Sequence, residues 1–391
     1  MLTQLHLDRW AEVLVRHATK VSPGNVVRIT AQPASEPLFE AVYRKVLEAG
    51  GHPVVNCRPE FLGEAFYELA SDDQLDWTNP FALHEAQAID ASININAITN
   101  LRSLDKFDTA TTQRAARAQK DSRELFFQRA AVADDPSIDS ELSPLLWSTT
   151  LFPTNAYAQD AGMNLSDYRD FVVRACQLNQ DDPVAFWEHL DHWQCELAEK
   201  LMTGSELHFQ TPAGTDLKVD IAGMLWLSSP GRKNFPDGEV YSGPNLKAAN
   251  GGAEGVVCFD NRCVYQGHAV RNARIVMEKG RATEVTAEEG EAFLIAMLDQ
   301  DEGARRIGEV AFGTNRAIAQ PTGQILYDEK MGGSFHLAFG AGYPETGNVN
   351  KSALHWDLIA SLTEGSLVTL DGKPLCVDGC FVDMPPEVNW I

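Results

Sequence analysis

The first part of the chain alternates short apolar runs with helical patterns. Val26–Thr30 is an apolar run, Glu36–Ala49 has helical spacing, and Pro53–Asn56 is a second extended run after the helix-ending Gly50-Gly51. Ala88–Asn94 is a further apolar run of strand length. Because parallel strands need a crossover connection, this β-α-β order predicts a parallel sheet.

Helical patterns then dominate until about residue 204, where the character of the sequence changes. The predicted helices cover Thr111–Arg129, Leu165–Leu178 and Pro183–Leu201. Beyond them the chain is rich in glycine and reads as strands and turns, beginning with Glu206–Gln210 and Leu217–Ile221, with one helix near Ala287–Asp299. The pattern predicts an α/β protein: an N-terminal α/β domain at residues 1–200 with a largely parallel sheet, and a mixed α+β, strand-rich C-terminal domain at 201–391.

Composition and charge exclude several classes of function. The 391 residues are 44% hydrophobic and 22% charged, as in ordinary globular proteins. Acidic residues number 55 against 32 basic ones, a formal charge of −23, which argues against binding nucleic acid or an anionic membrane. No stretch approaches the ~20 apolar residues of a transmembrane helix, and the start lacks signal-peptide features. Seven scattered cysteines favour a reduced cytoplasm over a disulfide framework.

Two histidines lie in strand-like segments at positions that face away from apolar neighbours. In Ser334–Gly340 the bulky apolar residues alternate with His336 and Ala338. In Leu354–Leu358 the same alternation puts His355 and Asp357 on one face, about 6–7 Å apart at the backbone. That spacing suits convergence on one metal ion, while the alternative is an exposed His/Asp pair on a strand surface.

Two glutamates interrupt apolar, strand-like runs. Glu239 lies within Gly238–Tyr241 and Glu309 within Gly308–Phe312. A buried carboxylate needs a cationic partner or a metal, although either one alone would also fit an edge strand that faces water. Together with the histidines and Asp357 they form an oxygen and nitrogen donor set that suits zinc, cobalt or manganese.

Other candidate site residues have weaker support from the sequence. The pairs Glu188-His189 and Asp191-His192 fit a solvated helix face, and Cys258, Cys263, Cys376 and Cys380 lack zinc-ribbon spacing. His268 lies near a turn and nothing ties it to a site. The usual nucleotide-binding loops and the HExxH and GxSxG motifs are missing from the sequence.

Six segments together resemble the M29 family of metallopeptidases, the aminopeptidase T and aminopeptidase S group. The resemblance is dense over 234–357 and looser over the N-terminal half. The segments are Asn234–Val240, Ala253–Val257, Gly308–Asn315, Asp328–His336, Tyr343–Gly347 and Lys351–Asp357.

The resemblance implies a dinuclear metal site in the C-terminal domain, with two divalent ions (Zn, Co or Mn). The ligands it implies are Glu239, Glu309, His336, His355 and Asp357, with Glu309 bridging the two ions. It also implies that Tyr343 is an active-site residue and that the protein is a homodimer. Glu329 is a further candidate of lower rank. His336 and His355 are only 19 positions apart, shorter than in the best-known members, so substrate preference does not carry over.

The expected function is that of a cytoplasmic metalloaminopeptidase that releases N-terminal residues from peptides with a free N-terminus. A water activated by both metals would attack the peptide, with Glu309 or Glu329 as base and Tyr343 beside the developing oxyanion. Two alternatives stay open: a metal hydrolase of another amide or ester, and a non-catalytic binding protein of the same fold.

Overall fold

A computed structural model describes residues 2–134, 137–138 and 141–382, so the end of the predicted domain 201–391 lies outside the described residues. The chain divides into two compact units. One consists of Met1–Val184 with Gly231–Phe235, and the other of Ala185–Pro230 with Pro236–Ile391. The domain limits drawn from the sequence stay a prediction.

The first unit is built on a parallel sheet, as the sequence predicts. Its strands follow the spatial order β2-β1-β3-β4-β8, and all four neighbouring pairs are parallel. Val27 and Ile29 at the centre are fully buried, as expected for a parallel strand covered on both faces. The strands are β1 (Val26–Ala31), β2 (His52–Cys57), β3 (Ala91–Asn96), β4 (Leu146–Leu151) and the short β8 (Asn234–Phe235).

The helices of this unit depart from the sequence prediction in two places. Residues 88–90, predicted as strand, precede β3, because Pro80–Ala88 is a helix whose first turn is capped by Asn79. The single helix predicted over Thr111–Arg129 is two helices, which part at the non-helical backbone of Gln119. The helices are α1 (Gln4–Glu12, continued by a π-helix at Val13–Ala18), α2 (Glu36–Glu48), α3 (Glu60–Leu69), α4 (Asp72–Leu75), α5 (Pro80–Ala88), α6 (Thr109–Ala118), α7 (Lys120–Asp134), α8 (Asn155–Asp160) and α9 (Leu165–Ala175).

The second unit is rich in antiparallel strands. One sheet has the order β14-β13-β10-β6-β5-β18-β19-β20, a second has the order β17-β16-β15-β9-β7, and β11 pairs with β12. The strands are β5 (Glu206–Gln210), β6 (Asp216–Asp220), β7 (Leu227–Ser229), β9 (Glu239–Ser242), β10 (Ala253–Phe259), β11 (Cys263–Tyr265), β12 (His268–Val270), β13 (Ala273–Glu278), β14 (Arg281–Thr286), β15 (Ile307–Gly313), β16 (Ser334–Gly340), β17 (His355–Ser361), β18 (Leu367–Leu370), β19 (Lys373–Val377) and β20 (Cys380–Phe381).

In the described part of the chain, three α-helices and a 3-10 helix at Pro344–Thr346 accompany these strands. The α-helices are α10 (Pro183–Met202), which begins at the end of the first unit, α11 (Glu291–Leu298) and α12 (Ile325–Asp328). Across the described ranges, none of the helices has the length and apolar character needed to span a membrane.

Aromatic packing joins the two large sheets of the second unit. Phe209 of β5 stacks on Phe335 of β16 and on Phe312 of β15, with ring centroids 4.6 and 5.7 Å apart. All three rings are fully buried. Replacing one of them by alanine would lower the free energy of unfolding by about 3–5 kcal/mol, so this aromatic core holds β15 and β16 in place. The polar residues of the two strands lie on the opposite face.

Candidate metal centre

The five-stranded sheet of the second unit carries the predicted ligands on one face. Its register aligns Glu309 of β15 with Ala338 of β16 and Asp357 of β17 in one row across the sheet. His355 pairs with Gly340, two rows along, which is the next row whose side chains lie on this face. Strand alternation directs these polar side chains away from the aromatic core.

Small residues separate the polar ones. Glu239 of β9 is aligned with Gly313, and His336 of β16 is aligned with Ala311. Because glycine and alanine have little or no side chain, the larger polar groups have room to lean toward one another over them. The structure therefore brings together all five predicted ligands, which the sequence spreads over more than a hundred positions.

Glu309 lies between the two histidines. Its Oε1 atom is 3.7 Å from His336 Nε2 and its Oε2 atom is 3.3 Å from His355 Nε2. On one side of this arrangement, Glu239 Oε2 is 3.4 Å from His336 Nε2, and on the other, Asp357 Oδ1 is 3.8 Å from His355 Nε2. Each carboxylate oxygen of Glu309 thus faces a different cluster of potential ligands.

Three overlapping groups have ligand atoms within 4.8 Å of one another, close enough to hold a metal ion. They are Glu239 with Glu309 and His336, then Glu309 with His355 and Asp357, and finally Glu329 with His336 and Asp357. Two oxygens in these groups, Glu239 Oε2 and Asp357 Oδ1, are buried and have no hydrogen-bond partner among the described residues. A buried carboxylate oxygen left unpaired is costly, so both atoms fit a cation that would lie beside them.

The charges of the cluster are strongly coupled. Burial opposes ionisation of Glu309, but the close approach of the imidazoles of His336 and His355 outweighs it and lowers the pKa of this carboxyl to about 2. Burial likewise opposes protonation of the histidines, yet the close approach of the Glu309 carboxylate raises the pKa of His336 to about 9 and that of His355 to about 10. Without a metal ion, protons on the two histidines supply the positive charge that Glu309 needs.

The pKa values of the other two carboxyls, those of Glu239 and Asp357, are raised instead of lowered. Burial raises the pKa of Glu239 to about 8, and Lys330 offsets this only in part. Burial and the charge of Glu329 raise the pKa of Asp357 to about 6. The site therefore holds more negative charge than its own cations neutralise, which is the electrostatic condition that divalent cations relieve.

Tyr343 lies beside His355. Its hydroxyl is 3.3 Å from His355 Nε2, and its ring meets the ring of Tyr241 edge to face at 5.5 Å. His355 Nδ1 is 2.9 Å from the carbonyl oxygen of Ala341, which can only accept, so Nδ1 donates this hydrogen bond. That contact fixes the ring orientation and directs Nε2 toward Glu309 and Asp357, as second partners of metal-binding histidines commonly do.

Lys330, Asp237 and Tyr241 are residues at the site that were not singled out from the sequence. Lys330 is fully buried and contacts Asp237, Glu239 and Glu329. Tyr241 is two residues beyond Glu239 on β9, so alternation puts it on the same face, a signal that the sequence did contain. Glu329, which the sequence marked as a lower-ranked candidate, lies within reach of the centre.

The other candidates lie elsewhere. Glu188, His189 and His192 are on the exposed side of α10, where His192 pairs with Glu196 at 3.3 Å. The seven cysteines all lie within the described residues and form no disulfide there, and Cys263 and Cys376 are buried. His268 stacks on Phe293 with ring centroids 4.2 Å apart.

Comparison with known proteins agrees with this architecture. The sequence model of the family described as thermophilic metalloprotease (M29) matches residues 3–378, so the chain belongs to the M29 peptidase family. It is 24% identical to aminopeptidase 2 of Geobacillus stearothermophilus over 411 residues, which cover 94% of this chain and 95% of that protein. It is 34% identical to aminopeptidase T of Thermus aquaticus over 247 residues, 56% of this chain and 58% of that protein.

Solved structures agree with this family assignment and with the fold. Wild-type AmpT from Thermus thermophilus superimposes with a TM-score of 0.80 at 25% identity, covering 96% of this chain and 99% of that one. A 2,5-dihydroxypyridine dioxygenase from Pseudomonas putida KT2440 superimposes with a TM-score of 0.58 at 13% identity, over 99% and 100% of the two chains, which shows a shared fold alone. The predicted α/β class with a strand-rich second half is confirmed, and so is the predicted family.

Proposed function

We propose that this protein is an aminopeptidase that uses two divalent metal ions, zinc, cobalt or manganese, to release N-terminal residues from peptides. The observation that carries the proposal is the position of Glu309, which belongs to two ligand groups at once, one with Glu239 and His336 and one with His355 and Asp357. A carboxylate with one oxygen toward each group is suited to bridging two cations.

The charge of the cluster supports two ions rather than one. Five carboxylates come together here, and Lys330 balances one of them, which leaves four negative charges when both histidines are neutral, as ligands must be. Two divalent cations would neutralise these four charges. The carboxylates are those of Asp237, Glu239, Glu309, Glu329 and Asp357.

The proposed ligands are Glu239, Glu309, His336, His355 and Asp357. When bound, the ions would lower the pKa of a water molecule and polarise the carbonyl group under attack. The donor set of carboxylate oxygens and imidazole nitrogens suits zinc, cobalt or manganese, and the unpartnered buried oxygens of Glu239 and Asp357 give the ions a place to bind.

The protein's own side chains would handle the proton and the developing charge. Glu309 or Glu329 would accept the proton of the attacking water and pass it to the leaving amine. Burial and the charges of Glu309 and Asp357 hold the pKa of Tyr343 far above its usual value, so its hydroxyl stays protonated and can donate a hydrogen bond to the oxyanion.

Specificity for the amino terminus is inferred from the relatives, which carry aminopeptidase names, and from the metal ions proposed here. The free α-amine of a peptide would be a ligand for one of these ions, whereas an internal peptide segment offers no such group. The homodimer and the cytoplasmic location stay predictions.

The test joins metal analysis with a panel of aminoacyl-nitroanilides. We expect about two divalent ions per chain, complete loss of turnover after chelation with metal loss verified, and recovery on adding Zn²⁺, Co²⁺ or Mn²⁺. Full activity in the verified metal-free protein would refute the metal hypothesis. Two ions per chain without turnover of any amide or ester would favour the binding protein, and turnover of esters or other amides alone would favour the other hydrolase.

A further inference from the structure

Lys330 is the only lysine among the described residues to be fully buried, with 1% of its surface exposed. Its Nζ atom lies 2.7 Å from Glu329 Oε1 and 3.4 Å from Asp237 Oδ1, and it also contacts Glu239 Oε1. Burial would lower the pKa of this amine, but the surrounding carboxylates hold it well above its usual value. The residue is therefore a permanent cation inside the site.

The contact with Lys330 gives the two carboxylate oxygens of Glu239 different roles. Oε1 is occupied by Lys330, whereas Oε2 lies 3.4 Å from His336 Nε2 and has no hydrogen-bond partner within the described part of the chain. Glu329 is held by the same ammonium group while one of its oxygens lies within 4.8 Å of ligand atoms of His336 and Asp357. A single lysine thus fixes two carboxylates that approach the centre from different chain segments.

The segments that carry these groups are themselves tied together through Asn315. Its backbone N–H donates to the carbonyl oxygen of Lys330 at 3.0 Å, and its side-chain amide donates to the carbonyl oxygen of Asp237 at 3.0 Å. The approach is close enough that a Cβ atom at Gly238 would lie 2.8 Å from the Cβ of Asn315. Asp237, beside this contact, is 1% exposed and anchors the ammonium group of Lys330 at 3.4 Å.

We propose that Lys330 is a positioning residue for the metal centre, which holds Glu239 by one oxygen so that only the other is presented to a metal ion. The inference rests on the proposed function. It predicts that removing a positive charge from the site weakens the binding of a cation. By charge alone, a lysine in this place repels divalent cations, so its removal would strengthen metal binding. If its main effect is to position Glu239, its removal weakens metal binding, because both oxygens are then free to rotate.

The test is Lys330→Met, which keeps the length of the side chain and removes the charge. Metal-free wild type and variant are titrated with Co²⁺ by calorimetry, and the visible absorption spectrum of the bound cobalt is recorded because it reports the ligand geometry. We expect the affinity of at least one ion to fall roughly 10–100-fold, the range for lost second partners of metal ligands, with a changed spectrum. Lys218→Met is the matched control, since it removes an exposed lysine, paired with Glu206 at 3.0 Å, and should change neither property.

Each outcome decides the matter. Equal or tighter cobalt binding with an unchanged spectrum in Lys330→Met would overturn the positioning role. If that variant does not fold, Asp237→Asn decides instead, because it keeps the volume and weakens the anchor of Lys330. It should lower the affinity by roughly tenfold and change the spectrum, and unchanged values would overturn the proposal. A wild-type chain that binds no cobalt would refute the proposed function itself, which is a distinguishable result.

Discussion

Replacing Glu309 by glutamine tests the centre of the proposed site. The substitution keeps the size and shape of the side chain, removes its charge and converts one oxygen into an NH₂ group. In the structure, Oε1 faces His336 at 3.7 Å and Oε2 faces His355 at 3.3 Å. Whichever way the amide turns, one histidine-bearing group therefore meets an NH₂ group, which cannot bind a cation.

The expected magnitude combines two losses. The metal content should fall from about two ions per chain to about one, since one of the two ligand groups loses its shared oxygen. Turnover should fall by ~10²–10⁴-fold if Glu309 also accepts the proton, which corresponds to about 3–5 kcal/mol of barrier, while the Michaelis constant changes less. The assay is the steady-state hydrolysis of a good aminoacyl-nitroanilide, with metal analysis of the same samples.

Glu284→Gln provides the matched control, because this glutamate of β14 is 72% exposed and lies on another sheet. It should leave turnover and metal content unchanged. Near-normal turnover in Glu309→Gln, with two ions still bound, would refute the reasoning and shift the role of base to Glu329 or to a group outside this cluster.

Three further results are expected. His355→Ala and Asp357→Ala should each lower metal content and turnover together without unfolding the protein, because the buried Trp356 and Leu358 hold β17; unchanged metal content in both would make the pair a surface feature. In the metal-free protein, the raised pKa values of His336 and His355, about 9 and about 10, stabilise the fold fully below pH ~6.5, and this stability is lost as the pH rises through those values. The free energy of unfolding of the metal-free protein, measured by denaturant titration, should therefore fall between pH 7 and pH 10, by about 1.4 kcal/mol per pH unit for each histidine that is still protonated in the folded state but not in the unfolded state, and a rise would contradict the assignment. Acetylation of a peptide's N-terminus should block cleavage seen by mass spectrometry with the free-amine peptide, and internal cuts at a comparable rate would indicate an endopeptidase.

The site residues that lie on strands could be predicted from the sequence, because the alternation of apolar and polar residues along a strand is a local property. Ser334–Gly340 is a strand with the predicted bounds, and His355 with Asp357 begins β17 on one face as predicted. Each of these polar residues interrupts an apolar run, which marks a side chain that must be satisfied inside the protein. Convergence of the strands was not readable in this way, since pairing between distant segments depends on the register of the whole sheet.

What the sequence did not show depends on contacts between distant loops and on backbone detail. Lys330 lies in a short polar segment whose letters look like an exposed turn, and only the approach of Asp237 and Glu239, about ninety positions earlier in the chain, buries it. The break between α6 and α7 at Gln119 has no glycine or proline to mark it. In both places the local sequence is compatible with more than one structure, and the tertiary contacts decide.

The bulge in β15 is a backbone irregularity that affects the orientation of a proposed metal ligand. Strict alternation would put Ile307 on the same face as Glu309, yet Ile307 pairs with Phe339 and is buried, because Gly308 is an extra residue in the strand. Only glycine fits there, since a Cβ atom at this position would lie 2.2 Å from the carbonyl oxygen of Ala341. That same oxygen accepts the hydrogen bond from His355 Nδ1. The irregularity that returns Ile307 to the core therefore also allows the backbone approach that orients His355 toward Glu309.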